Sequence, residues 1–338
     1  KSALERFQAS MEEVVARIRK EANDPKLLFL TPTPYDQTAE MEMTNLFGCN
    51  DGLARCGEIA RKLAAANSAK VVDLHEPMTE LNGKQQKNDP KWTIVGPDRV
   101  HPGAPGFLMM TWLFLKSQGA PAIVSKVAVE ASSDQVTESI NADVTAMQSK
   151  DGGVSFKVLA KALPYPIDPA AKEMLALLPI EADLNQELLS VAGLADGTYE
   201  LRIDGTAVGQ HSAKELASGI NLAFNKTTPQ FQQAQQVAKH NAQRKSAEAE
   251  AASLLNSRRW MISYYKIDVE DPAAVQAHYD HFEDKKEYSA AMALRYIEKW
   301  PNYEELRKQV EVHWEAALAS RQPVEHTYEV VPVKAAVK

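Results

Sequence analysis

Asp98-Arg-Val-His101 is the part of this sequence best equipped for chemistry. A carboxylate three residues before a histidine can hold one imidazole nitrogen and leave the other free as a base. The Pro102-Gly-Ala-Pro-Gly106 run that follows, and the apolar stretch from Phe107 to Leu115, put that loop directly before a helix. This is hydrolase chemistry, and it asks for a nucleophile that the residues upstream of the loop do not offer. Asp-x-x-His strings also arise by chance, so the pair draws its weight from the elements that position it.

Those elements read as a parallel α/β arrangement over residues 1–120. Leu4, Phe7, Met11, Val14, Val15 and Ile18 recur at helical spacing. Lys26 to Leu30 is a short apolar run ending in Thr31-Pro-Thr-Pro34, as a buried strand would. Asn50-Asp51 offers a cap for a helix to about Asn67, with Leu53, Cys56, Ile59, Ala60 and Leu63 on one stripe. A second strand is expected over Ala69 to Leu74, a short helix over Glu76 to Gln85, and a helix over Ala104 to Ser117. Strands alternating with helices imply helices on both sheet faces, with reactive loops beyond the carboxyl ends of the strands.

Past Ile123 the pattern changes, and residues 121–227 read as a β-rich elaboration. Val127 to Val129, Val136 to Val144 and Val154 to Leu159 have strand character, with Asp151-Gly-Gly153 as a turn. Thr198 to Gly209 reads as a hairpin about Asp204-Gly205. Residues 228–320 form a helical extension, one stretch to about Ile267 and another from Ala273 to Ala319, broken at Pro301. The two stretches suit an antiparallel pair and a surface for oligomerisation. Residues 321–338 are expected to be a flexible tail.

Composition excludes several classes. The 338 residues are 44% hydrophobic and 25% charged with a net charge of −7, ordinary for a globular protein and contrary to a nucleic-acid surface. No apolar run reaches the ~18 residues of a membrane span. Cys49 and Cys56 are too few for a disulfide framework and lack partners at zinc spacing, so they read as unpaired thiols, and they do not fix a compartment. No cofactor motif is present.

Other candidate residues have plainer readings beside the functional one. Asp73 and His75, at a strand end, could join Asp98 and His101 around a metal, but strand-end histidines more often pack. His278 and His281, with Asp284, have a spacing metals use, yet read better as a polar solvated helix face. Tyr35 and Asp36 follow the first strand and are placed at a pocket rim. Trp92 could offer a sugar or acyl platform, although loop tryptophans usually pack on a core. Met109, Met110, Trp112 and Phe114 are read as core.

Asn50-Asp-Gly-Leu-Ala-Arg55, the strand Val71-Val-Asp-Leu-His75, and above all Gly96-Pro-Asp-Arg-Val-His-Pro-Gly-Ala-Pro-Gly106 resemble the C-terminal half of SGNH, or GDSL-type, hydrolases. The resemblance covers about Leu4 to Gln118. It implies a three-layer α/β/α, flavodoxin-like sandwich and esterase, lipase or carbohydrate deacetylase activity on a small-molecule or carbohydrate ester. It implies that His101 is the general base and Asp98 its orienting partner. Family members also carry a Gly-Asp-Ser nucleophile block, a glycine, and an asparagine that builds the oxyanion hole. No Gly-Asp-Ser occurs here, and Asn50 stands two elements before the base, the wrong place for the oxyanion asparagine. The expectation is therefore an N-terminally truncated sandwich in which Lys1 is an internal position of a longer protein. The fragment would then be close to inactive, with an exposed apolar edge beside Lys26 to Leu30. The alternative is a non-catalytic binding or scaffold module on the same core.

Overall fold

The computed structural model describes residues 2–333, which divide into two compact units, one of residues 2–124 with 167–186, the other of residues 125–166 with 187–333. The first unit opens with α1 (Ala3–Glu21), whose start is fixed by a capping box between Ser2 and Glu5. There follow β1 (Leu28–Leu30), α2 (Cys49–Ala66), β2 (Lys70–Val72), α3 (His75–Gln85) and α4 (Ala104–Ser117). β1 and β2 pair in parallel, Leu28 opposite Lys70 and Leu30 opposite Val72. Asn50 does not cap α2: its N-cap is Gly48, in the left-handed region at φ 84°.

Strand alternation sends side chains to opposite faces, and both faces are covered. Phe29 packs with Val15 of α1 and Ala64 of α2. Val72 joins Met78, Leu81, Leu108 and Met109 of α3 and α4. Among the described residues β1 has β2 as its one strand partner, and Leu30, Val14 and Ile18 are exposed.

Residues 167–186, expected within the β-rich region, return to the first unit. Ala171 and Met174 of the 3-10 helix Pro169–Ala176, and Ile180 of α5 (Ile180–Leu184), enter the same core as Val72 and Met109. Trp112 Nε1 and Lys116 Nζ both donate to Asp183, at 2.9 and 2.7 Å. The Lys116 ammonium, then the Trp112 indole N–H, hold the Asp183 carboxyl below its usual range.

The second unit is a β-sandwich with a helical part. One sheet contains β3 (Ile123–Glu130), β4 (Gln135–Ile140), β7 (Gln186–Ala192) and β10 (Ile220–Asn221) in the order β10-β7-β3-β4. The other contains β5 (Ala142–Lys150), β6 (Gly153–Ala160), β8 (Thr198–Ile203), β9 (Thr206–Ser212) and β11 (His326–Pro332) in the order β5-β6-β11-β8-β9. Inward residues alternate along each strand, Val127 and Val129 with Leu189 and Val191 meeting Phe156, Leu201, Ile203, Tyr328 and Val330. The run from Val136 to Val144 is not one strand, because Asn141 adopts φ 53° and turns the chain between β4 and β5. Asp151-Gly152 and Asp204-Gly205 both take positive φ, as tight hairpins between right-twisted strands require.

Within the flexible tail expected over 321–338, His326–Pro332 form the strand β11 instead, and residues 334–338 lie outside the described residues. The β11 residues lie in the middle of the five-stranded sheet, paired with β6 and β8, because His326, Tyr328 and Val330 present a buried face at strand period. The short helix α6 (Ala213–Ser218) precedes β10. The helical part begins with α7 (Pro229–Trp260), started by Thr228, whose hydroxyl accepts from Phe231 N–H. A π turn over Met261–Tyr265 leads to α8 (Pro272–His281), α9 (Tyr288–Lys299) and α10 (Tyr303–Ser320). Pro301 lies in the 3-10 turn between α9 and α10. The second helical stretch is thus three helices, and α10 is the one that runs antiparallel along α7, with Gln233 Nε2 donating to Ser320 O and His240 beside His313.

Candidate active site

The loop that carries the base is built from its own backbone. Val95 and Pro102 form an antiparallel bridge, Gly96 N–H donates to His101 O at 2.7 Å, and Arg99 N–H donates to Gly96 O at 3.0 Å. Only glycine fits at 96 and 106. A Cβ on Gly96 would lie 2.8 Å from His101 O, and one on Gly106 2.6 Å from both Ile94 O and Pro102 Cβ. Pro105 stands in the first turn of α4, where no amide donor is missed.

Within that loop Asp98 organises everything that follows it. Its Oδ1 accepts the N–H groups of Val100 and His101, both at 3.0 Å, and its Oδ2 lies 2.5 Å from His101 Nδ1. An ionised carboxylate only accepts, so Nδ1 carries a proton, and in the neutral imidazole Nε2 is the nitrogen left with a lone pair. The His101 side chain is 83% exposed, and among the described residues nothing is hydrogen-bonded to Nε2. The His101 backbone N–H, its ring, and the Val100 N–H hold the Asp98 carboxyl well below the usual range.

Arg99 supplies the rigidity. It adopts φ 68°, which is unfavourable for a side-chain-bearing residue, and it is buried. The guanidinium offsets that strain by donating to Asp36 O at 2.8 Å, Ala39 O at 3.0 Å, Met43 O at 3.1 Å and Met41 O at 3.3 Å. In return Asp36 N–H donates to Arg99 O at 2.9 Å. The base loop and the loop after β1 are therefore one clamped piece. Arg99 carries no signature of this role in the sequence, because its burial and its φ are set by tertiary contacts.

The remaining candidates are placed differently from the pair. Tyr35 and Asp36 are buried and do not line a rim: Tyr35 Oη accepts from Leu46 N–H at 2.8 Å, while Asp36 caps Thr38 and Ala39 and accepts from Gln86. Asp73 bonds Arg61 and Thr31. Burial pushes the Asp73 carboxyl up, but the hydrogen bonds from Arg61, Thr31 and Glu76 N–H, with the Arg61 charge, together outweigh it and the net displacement is downward. His75 Nε2 lies 3.0 Å from Asn50 Oδ1, and burial lowers its pKa. Gly48-Cys-Asn-Asp51 matches the letters Gly-x-Asn-Asp; Asn50 Oδ1 accepts from Tyr35 N–H at 3.1 Å and lies 3.0 Å from His75 Nε2, and its amide Nδ2, the atom that could donate to an oxyanion, has no hydrogen-bond partner among the described residues.

Among the described residues no group of three or more His, Cys, Asp or Glu is arranged to hold a metal ion. His278 is buried, not on a solvated face, with its ring 4.5 Å from that of Tyr265 and 5.1 Å from that of Phe282, because the π turn after α7 brings Tyr265 over α8. Burial, then the neighbouring His281, lowers the His278 pKa. Trp92 packs on the core, as do Met109, Met110 and Trp112, whereas Phe114 is 40% exposed at the outer side of α4. Cys49 and Cys56 are free thiols, and burial pushes the Cys56 thiol up.

A mixed α/β fold with a carboxylate-held histidine on a glycine-fitted loop has the parts of an enzyme base. The fold is that of an enzyme of known structure, BT4096, a gut microbial diltiazem-metabolizing enzyme, with a TM-score of 0.85 and 26% sequence identity over 97% of this chain and 78% of that one. No protein-family model matches the sequence, and no curated protein matches it.

Proposed function

We propose that the protein is an ester hydrolase of the SGNH, GDSL-type kind, with His101 as general base and Asp98 as its orienting partner. The observation that carries this is the 2.5 Å contact from Asp98 Oδ2 to His101 Nδ1 on a loop that leaves Nε2 open. In that arrangement Nε2 takes the proton of a serine hydroxyl as it attacks an ester carbonyl, then returns it to the leaving alcohol. Asp98 holds the tautomer and stabilises the imidazolium without itself taking the proton. The sequence has no Gly-Asp-Ser block, and among the described residues no serine hydroxyl is bonded to His101. The pair is the base half of such a triad, and no serine among the described residues stands bonded to it. A small-molecule ester suits the reading, since the similar structure is that of an enzyme that metabolizes a small drug.

Hydrolysis of p-nitrophenyl acetate and of diltiazem by the natural gene product tests it. His101→Ala is expected to reduce kcat by roughly 10³-fold or more. Turnover that survives His101→Ala refutes it. A wild-type protein that turns over neither ester would favour the scaffold reading instead.

A further inference from the structure

The groove between α7 and α9 has the chemistry of a saccharide site. Ala249, Ala252, Ser253 and Asn256 on α7 face Tyr288, Ala291, Met292 and Arg295 on α9 across a cleft of about 330 Å³. Positions 249, 253, 256 and 260 share one face of α7, and positions 288, 291, 292 and 295 share one face of α9. Trp260 therefore stands at the end of the groove where Tyr288 stands, their ring centroids 6.5 Å apart and nearly perpendicular. Arg295 at the other end donates to Ser253.

The rings at the aromatic end are turned outward. Tyr264 stacks on Trp260 at 4.8 Å with an interplanar angle of 9°, yet Tyr264 is 67% exposed and Tyr288 72%. The π turn Met261–Tyr265 widens the chain there, and such insertions in a helix recur at functional sites. Two exposed tyrosine faces held by a tryptophan leave large apolar area in water, which a partner with apolar faces would relieve.

A sugar ring matches both halves of the groove. Its axial C–H groups carry partial positive charge and lie against the negative face of an aromatic ring, while its hydroxyls seek planar polar side chains at the rim. The Asn256 amide and the Tyr288 hydroxyl have no partner among the described residues. The floor of alanines leaves room for the ring, and the volume is at the small end of ligand pockets. We propose that this groove binds a short oligosaccharide, with one pyranose on Tyr288, Asn256 and Arg295 taking its hydroxyls, and the Trp260–Tyr264 stack extending the platform. The site does not depend on the hydrolase reading.

NMR titration of this chain with cellotetraose, xylotetraose and chitotetraose, watching the Trp260 indole N–H resonance, tests the proposal. At least one of the three is expected to shift it at millimolar concentration. Tyr288→Ala should weaken that binding at least tenfold, Tyr288→Phe should largely preserve it, and Asn256→Ala should weaken it severalfold. Tyr288 is exposed enough that both variants should fold, which circular dichroism verifies. The proposal is overturned if none of the three sugars moves the resonance, or if Tyr288→Ala leaves the binding intact. It is equally overturned if the surface instead mediates a concentration-dependent dimer that Tyr288→Ala dissolves.

Discussion

Replacing Glu187 by glutamine should make the protein more stable above neutral pH, and the size of the gain follows from where Glu187 sits. It lies in β7 at 3% exposure, and its Oε2 has no hydrogen-bond partner among the described residues. Its charge pushes the Tyr328 phenol further up after burial has already done so, and that phenol accepts from Gln230 Nε2 at 2.5 Å. The Asp204 carboxylate, paired with His326 Nδ1 at 2.6 Å, also faces Tyr328. Burial raises the Glu187 pKa from 4.5 to about 7. At roughly 1.4 kcal/mol per pH unit, that gap corresponds to ~3 kcal/mol. The sign is that of a raised carboxyl. The folded state prefers the proton, so the contribution is complete below about pH 4.5, is lost as pH rises towards 7, and is constant above that. Glu187→Gln keeps the shape and removes the titration. Urea unfolding at several pH values, read by hydrogen exchange at Leu189 and Val330 in the sandwich core, should show the variant's advantage growing from near zero at pH 4.5 to ~3 kcal/mol at pH 8. A difference that stays flat with pH would refute the reasoning, as would a variant less stable than wild type at pH 8.

Other changes test the base loop and the sheets. Gly106→Ala forces a methyl into Ile94 O and Pro102 and should cost about 1–3 kcal/mol, with the His101 resonances shifted in NMR spectra. Arg99→Ala should cost about 3 kcal/mol in urea unfolding and raise amide exchange over residues 36–43, since four carbonyls lose a charged donor. The Asp98 carboxyl is depressed, so its hold on the His101 loop is present above the ordinary carboxylate range and lost only as pH falls through the lower folded value. A ¹³C titration of Asp98 should accordingly have its midpoint below 3.8, and Asp98→Asn should abolish the downfield Nδ1–H signal of His101. Gly153→Ala, whose Cβ would run into Val330 O, should loosen the pairing of β6 with β11 and lower Tm.

What could be read without coordinates was set by local chemistry. The Asp98 to His101 contact was legible because three peptide units and two backbone amides donated to the same carboxylate are enough to close it. The β1 and β2 strands showed as short apolar runs, and the Asp151-Gly152 and Asp204-Gly205 turns as residue pairs that tolerate positive φ. Long-range placement was not legible. Residues 167–186 return to the first unit only because Ala171, Met174 and Ile180 fit a core made by residues far away in sequence. β11 looked like a loose tail because its partners β6 and β8 are distant in the chain. Tyr35, Asp36 and His278 misled for a related reason: polar atoms suggest a surface, and their partners Leu46, Gln86 and Tyr265 come from turns that no periodicity announces.

The central claim is that His101, held by Asp98, is the base of an ester hydrolase. The most direct measurement is the rate of p-nitrophenyl acetate hydrolysis by the natural gene product, compared among wild type, His101→Ala and Asp98→Asn as pH is varied. The account predicts a wild-type rate that rises to a plateau as one group loses a proton, a loss of roughly 10³-fold or more in His101→Ala, and a comparable loss in Asp98→Asn. A wild-type rate retained by His101→Ala at every pH would contradict it.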